Sequence, residues 1–94
     1  MLRYTVHFSG RVQGVGFRYT AQRAAGAHAV AGFVENLEDG RVRLVAEGEA
    51  KVLDSFLQEL HDQMAHYIRE RAIEHGPATG EFGEPGKSSF QVRR

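Results

Sequence analysis

The alternation at the start of the chain constrains its fold most. Leu2, Tyr4, Val6 and Phe8 alternate with Arg3, Thr5, His7 and Ser9. Successive side chains of a strand point to opposite faces, so this period of two predicts a first strand with one buried face. A glycine-bearing loop, GRVQGVG, follows directly. The next stretch, FRYTAQRAA from Phe17 to Ala25, is rich in helix formers, and Gly26 is a natural stop. Phe17, Ala21 and Ala24 share one face of that helix, which predicts close packing through small side chains.

The rest of the chain continues the pattern. Val30 to Asn36 reads as a second strand. The turn LEDG leads into Val42, Leu44 and Ala46, alternating with Arg41, Arg43 and Val45. Asp39-Gly40 supplies the turn chemistry of a hairpin, and Gly48 ends the third strand. Leu53, Phe56, Leu57 and Leu60 recur at i, i+3, i+4 and i+7, the spacing of one apolar helix face. Tyr67 to His75 is a weaker strand pattern, interrupted by Arg71. The stretch GPATGEFGEPGKS, Gly76 to Ser88, reads as loop, and Phe90 and Val92 suit a short last strand. The order is β-α-β-β-α-β plus a final strand. That predicts one domain over residues 1–94 with a ferredoxin-like α+β sandwich, two helices on one face of a mainly antiparallel sheet.

Composition narrows the functional classes. The chain has 94 residues, 41% apolar and 26% charged, the balance of an ordinary globular domain. With 12 basic and 12 acidic residues its formal charge is zero, which gives no electrostatic case for a nucleic-acid or membrane partner. The absence of cysteine removes disulfides, thiolate metal ligands and thiol nucleophiles. The alternating N-terminus is unlike a signal peptide, and no segment has transmembrane length, so the expected location is the cytoplasm.

The segment with most chemical content is GRVQGVGFR, Gly10 to Arg18. Glycines let the backbone turn sharply and approach a ligand closely. A helix start leaves N–H groups without intrahelical partners and carries the positive end of the helix dipole. Arg18, in the first helical turn, can add a bidentate guanidinium to the same anion. The residues alone fit an anion site, and they fit equally a plain strand-to-helix turn with Arg18 in water. The dinucleotide fingerprint lacks its third glycine here. The nucleotide phosphate loop is also missing, since Lys87-Ser88 follows Gly86 but lacks that motif's earlier glycine and the strand-to-helix setting.

Two blocks decide between these readings. GRVQGVGFR resembles the acylphosphatase signature G-x-V-Q-G-V-x-F-R, and GFVENLEDG, Gly32 to Gly40, resembles that family's G-x-V-x-N-x-x-D-G. The later VRLVAEG and TGEF are similar to its general pattern, so the resemblance covers essentially the whole chain. It implies hydrolysis of small acyl phosphates to carboxylate and inorganic phosphate, by a small monomer needing neither metal nor cofactor. It implies that the amides of Gln13, Gly14, Val15, Gly16 and Phe17 cradle the phosphoryl oxygens. It implies that Arg18 binds phosphate and that Asn36 holds the attacking water. Three positions depart from the family: Phe33 replaces a common Trp, His61-Asp62-Gln63-Met64 stands where Gly-Pro is usual, and Arg71 takes a normally apolar place.

Other readings compete at single residues. Read alone, Asn36 is a turn former whose side chain bonds nearby backbone. His61 and His66 lack the converging partners a metal needs and read as solvated. Arg69-Glu70-Arg71 reads as a solvated strand face. Tyr4, Phe8, Phe17 and Phe33 read as core, although a ferredoxin-like sheet with aromatics also suits base stacking. The alternatives to an acylphosphatase are a non-enzymatic phosphate- or RNA-binding module and a relative directed at carbamoyl phosphate.

Overall fold

The computed structural model describes residues 1–87 and 90–94. Its elements run β1 (Leu2–Gly10), α1 (Phe17–Ala25), β2 (Ala31–Asn36), β3 (Val42–Gly48), α2 (Ala50–Met64), β4 (Ile68–Pro77) and β5 (Gln91–Arg93). The strands form one sheet in the order β4-β1-β3-β2-β5. The first four pair antiparallel, and β5 adds to β2 in parallel. Both helices pack their apolar stripes on the same face, which is the ferredoxin-like arrangement.

The register explains which residues form the core. Val6 pairs with Leu44 and Leu44 with Val34, so these three line one row across the sheet. All are fully buried against Phe17, Ala21 and Ala24 of α1 and Leu53, Phe56, Leu57 and Leu60 of α2. Phe90 closes the sandwich, its ring edge-on to Phe56 at 5.7 Å. The second face of the sheet is partly covered as well. Val45, expected on the polar face of β3, is buried there with its partner Phe33, and Phe82 packs edge-on to Phe33 at 5.5 Å. A loop folded back over the open face buries them, which a period count within one strand cannot register. Of the four aromatics read as core, Phe8 of β1 and Phe17 of α1 pack together between sheet and helices, and Phe33 lies on the opposite face. Tyr4 is half-buried, its hydroxyl donating to Asp54 Oδ1 at 2.8 Å.

Element ends differ slightly from the sequence reading. The fourth strand takes in Gly76 and Pro77, which were expected in the loop, because Arg3 and Leu2 of β1 pair with them. Pro77 sits at the sheet edge, where a missing N–H costs no ladder bond. Ser88, the last residue of that loop, lies outside the described residues with Ser89. Gly26 ends α1 in right-handed geometry (φ −65°, ψ −20°) instead of a left-handed turn. Without the family's Gly-Pro, α2 simply runs on to Met64, and the Tyr67 N–H donates to the Met64 carbonyl at 2.9 Å. Arg71 pairs with Phe8, yet β4 is an edge strand and the guanidinium reaches water. Arg69, Glu70 and Arg71 are all exposed, and such charges discourage edge-to-edge pairing.

Candidate active site

The loop between β1 and α1 is pinned by apolar residues at both ends. Val12 and Phe17 are buried, and the Phe17 ring packs on Phe8 at 4.8 Å. The loop begins at Gly10, where β4 passes so close that a Cβ would lie 2.3 Å from the Tyr67 carbonyl oxygen. Only glycine permits that approach, and the Arg11 N–H then donates to the same carbonyl at 2.9 Å. The loop ends at Gly16, which starts α1 in the left-handed region (φ +79°, ψ 18°). Its carbonyl accepts from the Thr20 N–H at 3.0 Å and the Thr20 hydroxyl at 2.9 Å.

This geometry leaves donors open. Among the described residues no side chain caps helix α1, and its first turn holds no acidic residue. Among the described residues, the N–H groups of Gln13, Gly14, Val15 and Gly16 donate to no backbone carbonyl. They sit at the positive end of the helix dipole, so the arrangement suits an anion.

Arg18 and Asn36 meet here although they lie 18 positions apart in the sequence. Both line a cavity of about 770 Å³ together with Gln13, Leu37, Glu38 and Arg94. Both also line a smaller one of about 230 Å³ with Gly14, Gly16 and Phe17. The expected site residues therefore converge, with the exception of Val15, which is half-buried against the core and is expected to contribute only its backbone. Asn36 ends β2, paired with Val42. Its Oδ1 is shielded and has no hydrogen-bond partner among the described residues. A shielded acceptor without a donor costs free energy, and a bound water or ligand group can supply the donor.

Two features escaped sequence reasoning. Arg18 Nη1 donates to the Arg93 carbonyl at 2.8 Å, so the end of β5 fixes one edge of the guanidinium, and its other donors have no partner among the described residues. Arg94 enters the larger cavity by the same route. The residues of β5 carry no local signal for this, because the placement follows from pairing with β2. The hairpin end is set by Asp39, whose Oδ1 accepts from the Arg41 N–H at 3.1 Å and whose Oδ2 takes the Arg41 Nε at 2.8 Å. Those contacts hold the Asp39 carboxyl below its usual range, the backbone N–H contributing most. Away from the site, His66 is exposed and His61 is half-buried, its Nδ1 shielded and without a partner among the described residues.

The Acylphosphatase family pattern matches residues 4–92. The chain belongs to the acylphosphatase family. An acylphosphatase of Clostridium acetobutylicum is 53% identical over 60 residues, which span 64% of this chain and 66% of that one. The match thus extends over slightly less than two thirds of that relative's length. A second acylphosphatase, from Rubrobacter xylanophilus, is 41% identical over 97% of this chain and 79% of its own. The crystal structure of acylphosphatase from Bacillus subtilis superposes with a TM-score of 0.83, covering 98% of both chains at 31% identity.

Proposed function

We propose that this acylphosphatase-family chain hydrolyses small acyl phosphates to a carboxylate and inorganic phosphate. The convergence of Arg18 and Asn36 on one cavity beside the open amides of the glycine loop carries the reading. Phosphoryl transfer runs through a loose, charge-dispersed transition state, so positioning and electrostatics supply most of the catalysis. The amides from Gln13 to Phe17 take the phosphoryl oxygens, and the free edge of Arg18 adds positive charge where charge develops.

Asn36 accepts a hydrogen bond from water through Oδ1 and sets that water against phosphorus. The water oxygen forms the new bond to phosphorus as the bond from phosphorus to the acyl oxygen breaks. The leaving carboxylate keeps the electron pair, and the water proton passes to a phosphoryl oxygen. A carboxylate leaves readily, so the reaction calls for no strong general acid. Arg18 and the amide cradle supply the charge stabilisation that a metal supplies in other phosphoryl transfers, and we assign the protein no metal or cofactor.

The protein is proposed to act as a cytoplasmic monomer with inorganic phosphate as product and inhibitor, and with no nucleic-acid or membrane partner. Among the described residues no helix is long and apolar enough to cross a membrane. The test is benzoyl phosphate hydrolysis in EDTA by wild type, Arg18→Ala and Asn36→Ala. Wild-type turnover that both substitutions abolish is expected. A folded wild-type protein without turnover would replace this reading with a phosphate-binding module.

A further inference from the structure

We infer that the Gln13 side chain, resting on the activity proposed above, is a positioning residue that fixes Asn36 relative to the phosphate loop. Its backbone amide belongs to the loop, but its carboxamide points elsewhere. Gln13 Nε2 donates to the Leu37 carbonyl at 2.7 Å and to the Arg41 carbonyl at 3.0 Å. Both donors of one NH2 are thereby satisfied in a half-buried setting. These two carbonyls flank the mouth of the β2–β3 hairpin. The Leu37 N–H donates to the Arg41 carbonyl at 2.8 Å, and the Gly40 N–H donates to the Leu37 carbonyl at 3.2 Å. Leu37 directly follows Asn36.

Asn36 needs such an external support. Among the described residues its Oδ1 has no hydrogen-bond partner, so that atom does not tether the side chain to the loop. Its position over the cradle depends on how the hairpin is joined to the loop. Among the described residues 11–16, Gln13 is the one whose side chain hydrogen-bonds to the hairpin. An uncharged amide reaches two carbonyls at once without adding charge beside the phosphate site. The displacement of a reacting group by about 1 Å can cost about 10²-fold in rate.

Gln13→Met keeps the length of the side chain and removes both donors. With benzoyl phosphate, kcat is expected to fall between about tenfold and a hundredfold. The inhibition constant of inorganic phosphate is expected to stay within about threefold, because the cradle is built from backbone. In an Asn36→Ala background the same substitution is expected to cost less than about threefold, since residues acting as one unit do not add. Fully multiplicative losses overturn the inference, as does a phosphate inhibition constant that rises in step with the fall in kcat. Either result leaves the proposed activity standing.

Amide hydrogen exchange reads the same staple without turnover, so an inactive wild type leaves it testable. Gln13→Met is expected to speed exchange at Leu37 and Gly40. Unchanged hairpin exchange overturns the inference. If Gln13→Met does not fold, Gln13→Glu takes its place. Its protonated acid donates to one carbonyl and its carboxylate to none, so its kcat relative to wild type is expected to rise as pH falls. A flat ratio overturns the inference.

Discussion

Two polar clusters at opposite ends of the sheet treat their hydrogen bonds in opposite ways. At one end, Glu47 of β3 is buried on the open face beside Arg3. Its carboxylate accepts from Arg3 Nε at 2.8 Å, from the Thr79 N–H and hydroxyl at 2.9 Å each, and from the Gly80 N–H at 2.9 Å. Burial alone would push this carboxyl up. The Thr79 N–H, the Arg3 guanidinium, the Gly80 N–H and the Thr79 hydroxyl outweigh it and bring it from the ordinary 4.5 to about 2. Arg3 also pairs with Glu81, and its guanidinium lies over the Phe82 ring at 4.9 Å. At the other end, the loop amides donate to no backbone carbonyl and Asn36 Oδ1 has no hydrogen-bond partner among the described residues. A satisfied cluster stabilises the fold, whereas an unsatisfied one costs stability until a ligand completes it. The first should therefore govern stability and the second turnover.

The largest expected effect is at Arg18. Arg18→Lys should lower kcat/KM for benzoyl phosphate by about 10³-fold, because a point charge cannot replace the planar fork. Near wild-type kcat/KM would remove the bidentate role from Arg18, and a matching loss of stability would erase the contrast between the two clusters.

Glu47→Gln tests the other end. It should cost about 3 kcal/mol in urea unfolding at neutral pH, with kcat unchanged, because Arg3 is left facing a neutral amide. The pH dependence follows from the depressed carboxyl. Its stabilisation is full above 4.5 and disappears as pH falls through about 2. Wild type should lose about 3 kcal/mol across that window. A Glu47→Gln protein with the same acid profile would show that other carboxylates govern it.

Asn36→Ala should reduce kcat by about 10²-fold while the phosphate inhibition constant changes by less than about threefold. A large loss of phosphate affinity would place Asn36 in binding instead of water placement. Gly16→Ala is the smallest change. It forces a Cβ into left-handed backbone with no neighbour to clash, so about 1 kcal/mol of stability should be lost. A neutral effect would mean that the loop readily adopts a right-handed start to α1.

Much of this was legible because the relevant signals are local. The period of two in β1, the stripe from Leu53 to Leu60 and the Asp39-Gly40 turn each predict an element that the structure contains. Arg18 and Asn36 stood out through two dense motifs, though Asn36 by itself reads as a turn former. The burial of Val45, the extension of β4 through Pro77 and the grip of Arg93 on Arg18 were not legible. Each depends on a segment distant in sequence: the loop around Phe82, the edge of β1, and the β2–β5 pairing.

The sequence by itself determined the kinds of element, their order and the loop able to face an anion, because periodicity and glycine chemistry act over a few residues. Tertiary structure alone decided which side chains complete the site and which polar groups stay unsatisfied. A hydrogen bond such as that from Gln13 to Leu37 spans 24 residues, and its partners are set by packing and strand register.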